Sequence, residues 1–321
     1  MLRLVTSLAS PAGPRARLTA FIFHRVLPEP DPLQPELPDV AGFEQSLDWI
    51  GAQFRVLDPR LACERLVAGG LPARAAILTF DDGYRDNAEL VAPILHRRGW
   101  PAAFFVATGF LEGRVMFNDR IIEALRATRA AEIVPAAIGL DAAPALPLDG
   151  LPARREAIAR LISAIKHLPA PRREAAVACL EDCLGAGATR SPMMDAAQVA
   201  GLQAAGMTLG GHTRHHPILA MLEPGQAQEE IAGGFDDLRA ISGESPALFA
   251  YPNGRFGPDW QAPHMSMVRR AGFAYAFSTD PGAADRRSPA LALPRFTPWD
   301  RSRLRFQARA WGNLLTRPLA A

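Results

Sequence analysis
What constrains this chain most is a rhythm: six short runs of β character, at 18–23, 75–80, 102–107, 207–210, 247–251 and 274–278, separated by helical patterns. Phe43, Leu47, Ile50 and Phe54 recur at helical spacing, as do Leu90, Val91, Ile94 and Leu95. Strands that alternate with helices are joined by crossovers, which predicts an α/β fold: a parallel sheet or barrel on which each helix buries one face. The 321 residues, 49% hydrophobic and 21% charged, supply a core for it and exclude a disordered or fibrous chain.

From 112 to 192 the rhythm changes. No β-rich run occurs there, Ala, Arg, Leu and Glu dominate, and prolines and glycines break the segment near 144–152 and 169–171. The pattern predicts amphipathic helices over 154–168 and 172–184. We read 112–192 as a helical insertion between two strands of a single domain spanning 1–321, an element of packing rather than chemistry.

The formal charge is +2, with 35 basic and 33 acidic side chains. No global field draws such a chain to nucleic acid or to an anionic membrane. Lys166 is the single lysine among those basic residues, a skew that reads as compositional bias. Cys63, Cys179 and Cys183 form neither a disulfide framework nor a zinc-type pair and read as buried thiols. The first residues lack the apolar core and cleavage site of a signal peptide, and no run has the length to span a bilayer, so the expectation is a cytoplasmic protein without a transmembrane segment.

Chemistry concentrates in three places. Thr79-Phe80-Asp81-Asp82-Gly83-Tyr84 follows the 75–80 run. Neighbouring side chains of a regular strand point to opposite faces, so two adjacent aspartates share a site only where the strand has ended and the chain turns. Gly83 permits that turn. Carboxylates at the C-terminal end of a strand suit a division between metal binding and proton handling. Gly211-His212-Thr213-Arg214-His215-His216-Pro217 follows the 207–210 run and puts three of the seven histidines within five residues. Histidines three or four apart can aim two ring nitrogens at one ion, and imidazole with carboxylate favours Zn²⁺ or a similar cation. Phe249-Ala250-Tyr251-Pro252-Asn253-Gly254 reads by itself as a strand ending in a turn.

In this order, each at a strand end, the three segments resemble the polysaccharide deacetylases of carbohydrate esterase family 4, the NodB-type homology domain, over roughly 18–295. The resemblance implies a distorted (β/α) barrel and hydrolysis of acetyl groups, chiefly N-acetyl, on sugars of a polysaccharide, glycan or glycolipid. It implies one divalent metal ion, Zn²⁺ ahead of Co²⁺ or Ni²⁺. By position, Asp81 is then the general base, Asp82, His212 and His216 the metal ligands, His215 a neighbour, and the Asn253 backbone N–H the oxyanion donor.

Two departures stand out against that family. Many members carry a late Leu-x-His whose histidine is the general acid, whereas this chain reads Leu291-Ala292-Leu293-Pro294-Arg295. An arginine donates no proton at neutral pH, so His24, ending the first strand, becomes the candidate acid ahead of His264. Ala250 stands where many members have an arginine beside the catalytic aspartate; without one, burial would raise the pKa of Asp81, and Arg295 is the candidate to supply the charge. Trp260 and Trp299 are candidates to stack on sugar rings. The readings that compete with a deacetylase are a non-catalytic carbohydrate-binding barrel and a metal-independent amidohydrolase acting on a non-sugar amide.

Overall fold
The computed structural model describes residues 2–141, 143–187, 190–298 and 300–316. In chain order the elements are α1 (Leu2–Ala9), β1 (Thr19–Phe23), α2 (Val40–Gln53), β2 (Arg55–Val56), α3 (Pro59–Ala68), β3 (Ala75–Phe80), α4 (Ala92–Arg98), β4 (Ala103–Val106) and α5 (Phe117–Ala127). Next come β5 (Glu132–Ile133), β6 (Leu146–Pro147), α6 (Gly150–Lys166), α7 (Ala170–Leu184), α8 (Ala196–Ala204), β7 (Thr208–Gly211) and α9 (Pro224–Ser242). The chain ends with β8 (Leu248–Ala250), α10 (Ala262–Ala271), β9 (Tyr275–Phe277), β10 (Arg295–Phe296) and α11 (Arg303–Leu315). Side chains close several helix starts: Asp39 accepts from the Gly42 N–H, Asp58 from the Leu61 N–H, and Asp195 and Gln198 form a reciprocal capping box.

One compact unit holds Met1–Pro28, Pro38–Glu112 and Met193–Ala321. Its strands run in the order β10-β1-β3-β4-β7-β8-β9, every pairing parallel, with β2 added beside β3. A parallel bridge from Phe277 to Leu293, two residues before β10, nearly closes the path into a barrel of seven strands. The barrel is distorted because β4 reaches β3 only at Thr79 and Phe80, while β2 takes the opposite end of that strand.

Alternation along the strands sorts the core. Ala103 and Phe105 pack with Ala20, Ile77, Ala250 and Phe277, whereas Phe104 and Val106 face α2, α4 and α8 through Leu47, Leu95 and Val199. Gly210 belongs to this packing: a Cβ there would lie 2.4 Å from the Phe105 ring, so only glycine leaves the ring its place.

The six expected strands all occur, each within a residue or so of its sequence bounds. Unanticipated were β2, β5, β6 and β10, each two residues long and too short to carry a periodic signal.

The second unit comprises Glu29–Leu37 and Gly113–Pro192. Its core gathers Ile121 and Leu125 of α5, Leu161 and Ile165 of α6, and Val177 and Leu180 of α7. The helix expected from 154 begins at Gly150, because Pro152 falls in the first turn, where a missing N–H costs no hydrogen bond. Cysteine placement corrects the sequence reading in part. Cys63 is buried, but Cys179 and Cys183, four apart on α7, lie on its exposed side opposite Val177 and Leu180.

Candidate active site
The candidate residues converge where β1, β3, β7 and β8 end, and Arg295, the first residue of β10, reaches the same place with its side chain. Asp81 and Asp82 leave β3 on a turn in which Asp82 adopts φ 76° and Gly83 φ 89°. That reversal lets two consecutive carboxylates serve one site, as the Asp-Asp-Gly pattern requires. Thr213 (φ 64°), His216 (52°) and Asn253 (60°) are also left-handed, so four of the six described non-glycine residues with positive φ sit in the three motif loops. Such conformations cost free energy and persist where surrounding contacts enforce them.

Here those contacts are visible. The Thr213 hydroxyl donates to the His212 carbonyl at 2.5 Å and accepts from the His216 N–H at 3.1 Å. Glu230 of α9 accepts from the backbone N–H groups of Arg214 and His215 and pairs with His215 Nδ1 at 2.8 Å. His215 is thereby turned toward α9, whereas His212 and His216 turn to Asp82.

His212 Nε2 lies 3.4 Å and His216 Nε2 3.3 Å from Asp82 Oδ1. The Ala250 carbonyl stands 2.7 Å from His212 Nδ1. A carbonyl only accepts, so the proton of neutral His212 is on Nδ1 and the Nε2 lone pair faces Asp82. Asp82 Oδ1 is buried and has no hydrogen-bond partner among the described residues, which is costly for an ionised oxygen. One atom each from Asp82, His212 and His216 falls within 4.8 Å of the others. A buried orphan oxygen facing two imidazole nitrogens fits a divalent cation, and N and O donors suit zinc and its neighbours in the first transition series.

Electrostatics agree with that fit. Burial raises the pKa of Asp82, but the neighbouring imidazoles of His216, His212 and His24 outweigh it and hold the carboxyl well below the usual range. Burial pushes His216 down to about 4 despite Asp82, leaving its ring neutral with a free lone pair. For His212 burial lowers the pKa, yet Asp82 and Asp81 pull it above its ordinary value; the same pull attracts a cation.

Asp81 sits 4.0 Å from His212 Nε2 and is met by a guanidinium. Arg295 Nη1 and Nη2 donate to its two oxygens at 2.7 and 2.8 Å, while Nε donates to the Ser278 carbonyl. Burial alone would raise the Asp81 pKa; the charge of Arg295, with that of His212, reverses the sign and holds it low. The guanidinium therefore stands beside Asp81 although Ala250 has no charge to offer.

His24 is half-buried where β1 ends, and its field acts on Asp81, Asp82 and His216, which puts it on their rim. His264 is a different case: its Nδ1 accepts the Gln261 N–H at 2.9 Å and caps α10. Trp260 is only 1% exposed, stacked 3.9 Å from Tyr251 with its indole N–H on the Gly254 carbonyl, so it packs the core instead of meeting a sugar. Trp299 lies outside the described residues.

The sequence reading missed Glu230 and Asp86. Asp86 accepts from Arg25 Nε and the Val26 N–H, and Asn87 donates to the His24 carbonyl, so together they fasten the exit of β1. Asn87 opens a π-helical turn, Asn87–Val91, a backbone irregularity frequent at functional sites but without a periodicity to read in advance.

Two carboxylates and two imidazoles gathered at strand ends make this a β/α barrel equipped for metal-binding and acid–base chemistry. The family profile for polysaccharide deacetylase matches residues 68–134 and 178–276. The chain belongs to that family, whose members are hydrolases of carbohydrate C–N bonds. Its fold is similar to IcaB from Ammonifex degensii, with a TM-score of 0.59 at 20% identity over 95% of this chain and 98% of that one. It is also similar to the Streptococcus pyogenes deacetylase PplD, solved with acetate, with a TM-score of 0.58 at 17% identity over 88% and 92% of the two chains. A de-N-acetylase from Aggregatibacter actinomycetemcomitans aligns with a TM-score of 0.52 at 13% identity over 87% and 94%. No curated protein sequence matches the chain significantly. Among the described residues no helix is long and apolar enough to cross a membrane.

Proposed function
We propose that this chain is a metal-dependent deacetylase that removes N-acetyl groups from sugars of a glycan or glycolipid and releases acetate. The reading is carried by one observation: Asp82, His212 and His216 face a common point beside a second carboxylate, Asp81, paired with a buried arginine. A binding module has no use for that second carboxylate. The de-N-acetylase among the structural neighbours supports N-acetyl as the group removed, and the acetate complex supports acetate as the product.

Asp82, His212 and His216 would hold the cation, leaving coordination positions open, as a catalytic site requires. When bound, a Zn²⁺-like ion polarises an acetyl carbonyl and brings the pKa of water from 15.7 toward about 7. Asp81 takes a proton from the attacking water. Arg295, with His212, lowers the Asp81 pKa and so favours the ionised form, at the cost of making it a weaker base.

The Asn253 N–H has no partner among the described residues and follows by three positions the carbonyl that orients His212. It is assigned to the oxyanion, a role worth about 10²–10³ in rate. His24 returns a proton to the amine as the C–N bond breaks, giving acetate and a free amino sugar. The test measures metal content and acetate release together, on N-acetylhexosamine oligomers and acetylated glycolipids. One divalent ion per chain and acetate release lost on chelation are expected; undiminished turnover by metal-free protein would overturn the assignment.

A further inference from the structure
The net charge of +2 conceals a segregation. Residues 2–17 and 301–316 carry seven arginines and no aspartate or glutamate, while the rest of the chain holds 28 basic against 33 acidic side chains. The first segment contains α1 and the second α11, and the two helices meet: Trp311 Nε1 is 3.4 Å from the Thr6 hydroxyl, and Arg17 donates to the Leu314 carbonyl.

Both helices turn apolar side chains outward. On α11, Phe306, Ala310 and Leu314 are buried, whereas Leu304 and Leu315 point to solvent, 80% and 71% exposed. On α1, Thr6 is buried while Leu8 and Leu4 are 75% and 66% exposed. These are the four most exposed large apolar side chains among the described residues. Single exposed leucines are ordinary; two on each of two touching helices, whose segments carry arginines and no acid, point to a surface suited to a partner.

We propose that α1 and α11 form an interfacial face that docks on an anionic phospholipid surface, with Leu4, Leu8, Leu304 and Leu315 entering the headgroup boundary and the arginines meeting lipid phosphates. Charge selects this occupant. A second copy seated symmetrically on the face would set arginines against arginines, since neither segment contains an acid to receive them. Some arginines are already engaged: Arg305 and Arg309 pair with Asp300. Arg3, Arg15 and Arg303 are exposed, and no carboxylate pairs with them among the described residues. Apolar residues on one side and arginines beside them are the pattern of a helix lying in the membrane plane.

The test is co-sedimentation of the full chain with phosphatidylcholine vesicles containing about one-third phosphatidylglycerol, against phosphatidylcholine alone. Binding to the anionic vesicles is expected, falling about tenfold or more on neutral lipid or at ~0.5 M salt. Leu8→Glu with Leu304→Glu should abolish it, and Arg15→Glu with Arg303→Glu should weaken it at least about fivefold per residue. Circular dichroism and Tm should hold in both variants, because all four side chains are solvent-exposed. Three outcomes overturn the proposal: no binding by the parent protein, binding untouched by the leucine changes, or a lipid-free dimer that those changes dissociate.

Discussion

Arg295 grips Asp81 through both carboxylate oxygens, at 2.7 and 2.8 Å, across 214 positions of sequence. The pair is almost fully buried, and the guanidinium is fixed at its far edge by the Ser278 carbonyl. It is a pairing of planar forks, which an ammonium on a flexible stem does not reproduce.

Arg295→Ala should therefore do more than remove a charge. With the largest charge opposing burial removed and only the neighbouring imidazoles left against it, the Asp81 pKa rises from its lowered value, so the acid limb of the pH–rate profile moves toward neutrality. In the parent protein, stability linked to ionised Asp81 is present above the ordinary carboxylate pKa and fades as pH falls through the lowered folded value. The variant loses this as part of the about 3–5 kcal/mol that stranding one partner of a buried pair usually costs. Arg295→Lys should fall between the two. A pH–rate profile that does not move in Arg295→Ala would show that Arg295 has no part in setting the base.

Asp82→Ala and His216→Ala should each lose the metal ion, read by elemental analysis, and acetate release with it. In the metal-free protein His216 is neutral above about pH 4, whereas His212 has a raised pKa. Protons thus compete with the ion at His212 first, and affinity should climb with pH until that group is deprotonated. At a hundredfold excess over Kd, restored ion should return about 2.7 kcal/mol of stability. Affinity flat across this pH range would contradict the assignment of His212.

Glu230→Ala should loosen the 213–216 loop without touching a ligand. The carboxylate receives two backbone N–H groups and His215, and burial would raise its pKa did those hydrogen bonds not lower it. Groups that orient ligands are worth about 10–100-fold in metal affinity. A chelator-competition assay on folded variant measures this, and an unchanged Kd would reduce Glu230 to a surface anchor.

Gly210→Ala tests the barrel. Its Cβ would stand 2.4 Å from the Phe105 ring and 3.0 Å from the Leu248 carbonyl, and a backbone atom cannot yield as a side chain can. Overpacking of this kind costs about 1–3 kcal/mol, readable as a lower denaturant midpoint with an unchanged slope.

Much of this architecture was legible in the sequence, for a definable reason. Strands of four to six residues with apolar side chains on both faces, such as β3 and β4, announce themselves as continuous runs. Asp-Asp-Gly and the histidine triplet are local, so their neighbours in the chain are their neighbours in the site. His24 could be suspected because it follows the first run and Arg295 because it stands in the late 291–295 segment, but their partners lie on other strands. Glu230 and Asp86 gave no signal at all: each is an ordinary acid in a helical context, and only the fold shows that it fastens a loop. Trp260 is the opposite case, a residue type suited to sugars that the turn at Gly254 has drawn into the core.

His24 can be tested so that two roles separate. Asn87 holds its carbonyl at 2.9 Å and Asp86 holds the Val26 N–H at 3.2 Å, so His24→Gln should leave the exit of β1 in place. An amine leaving group must gain a proton as the C–N bond breaks, whereas a nitrophenolate leaves without one. If His24 is the acid, the substitution should cut turnover of N-acetyl sugar by about 10²–10⁴. Hydrolysis of 4-nitrophenyl acetate and metal content should be nearly untouched. Equal losses on both substrates would mean that His24 acts on the metal site or the substrate pocket as a whole, and the proton would have to come from water.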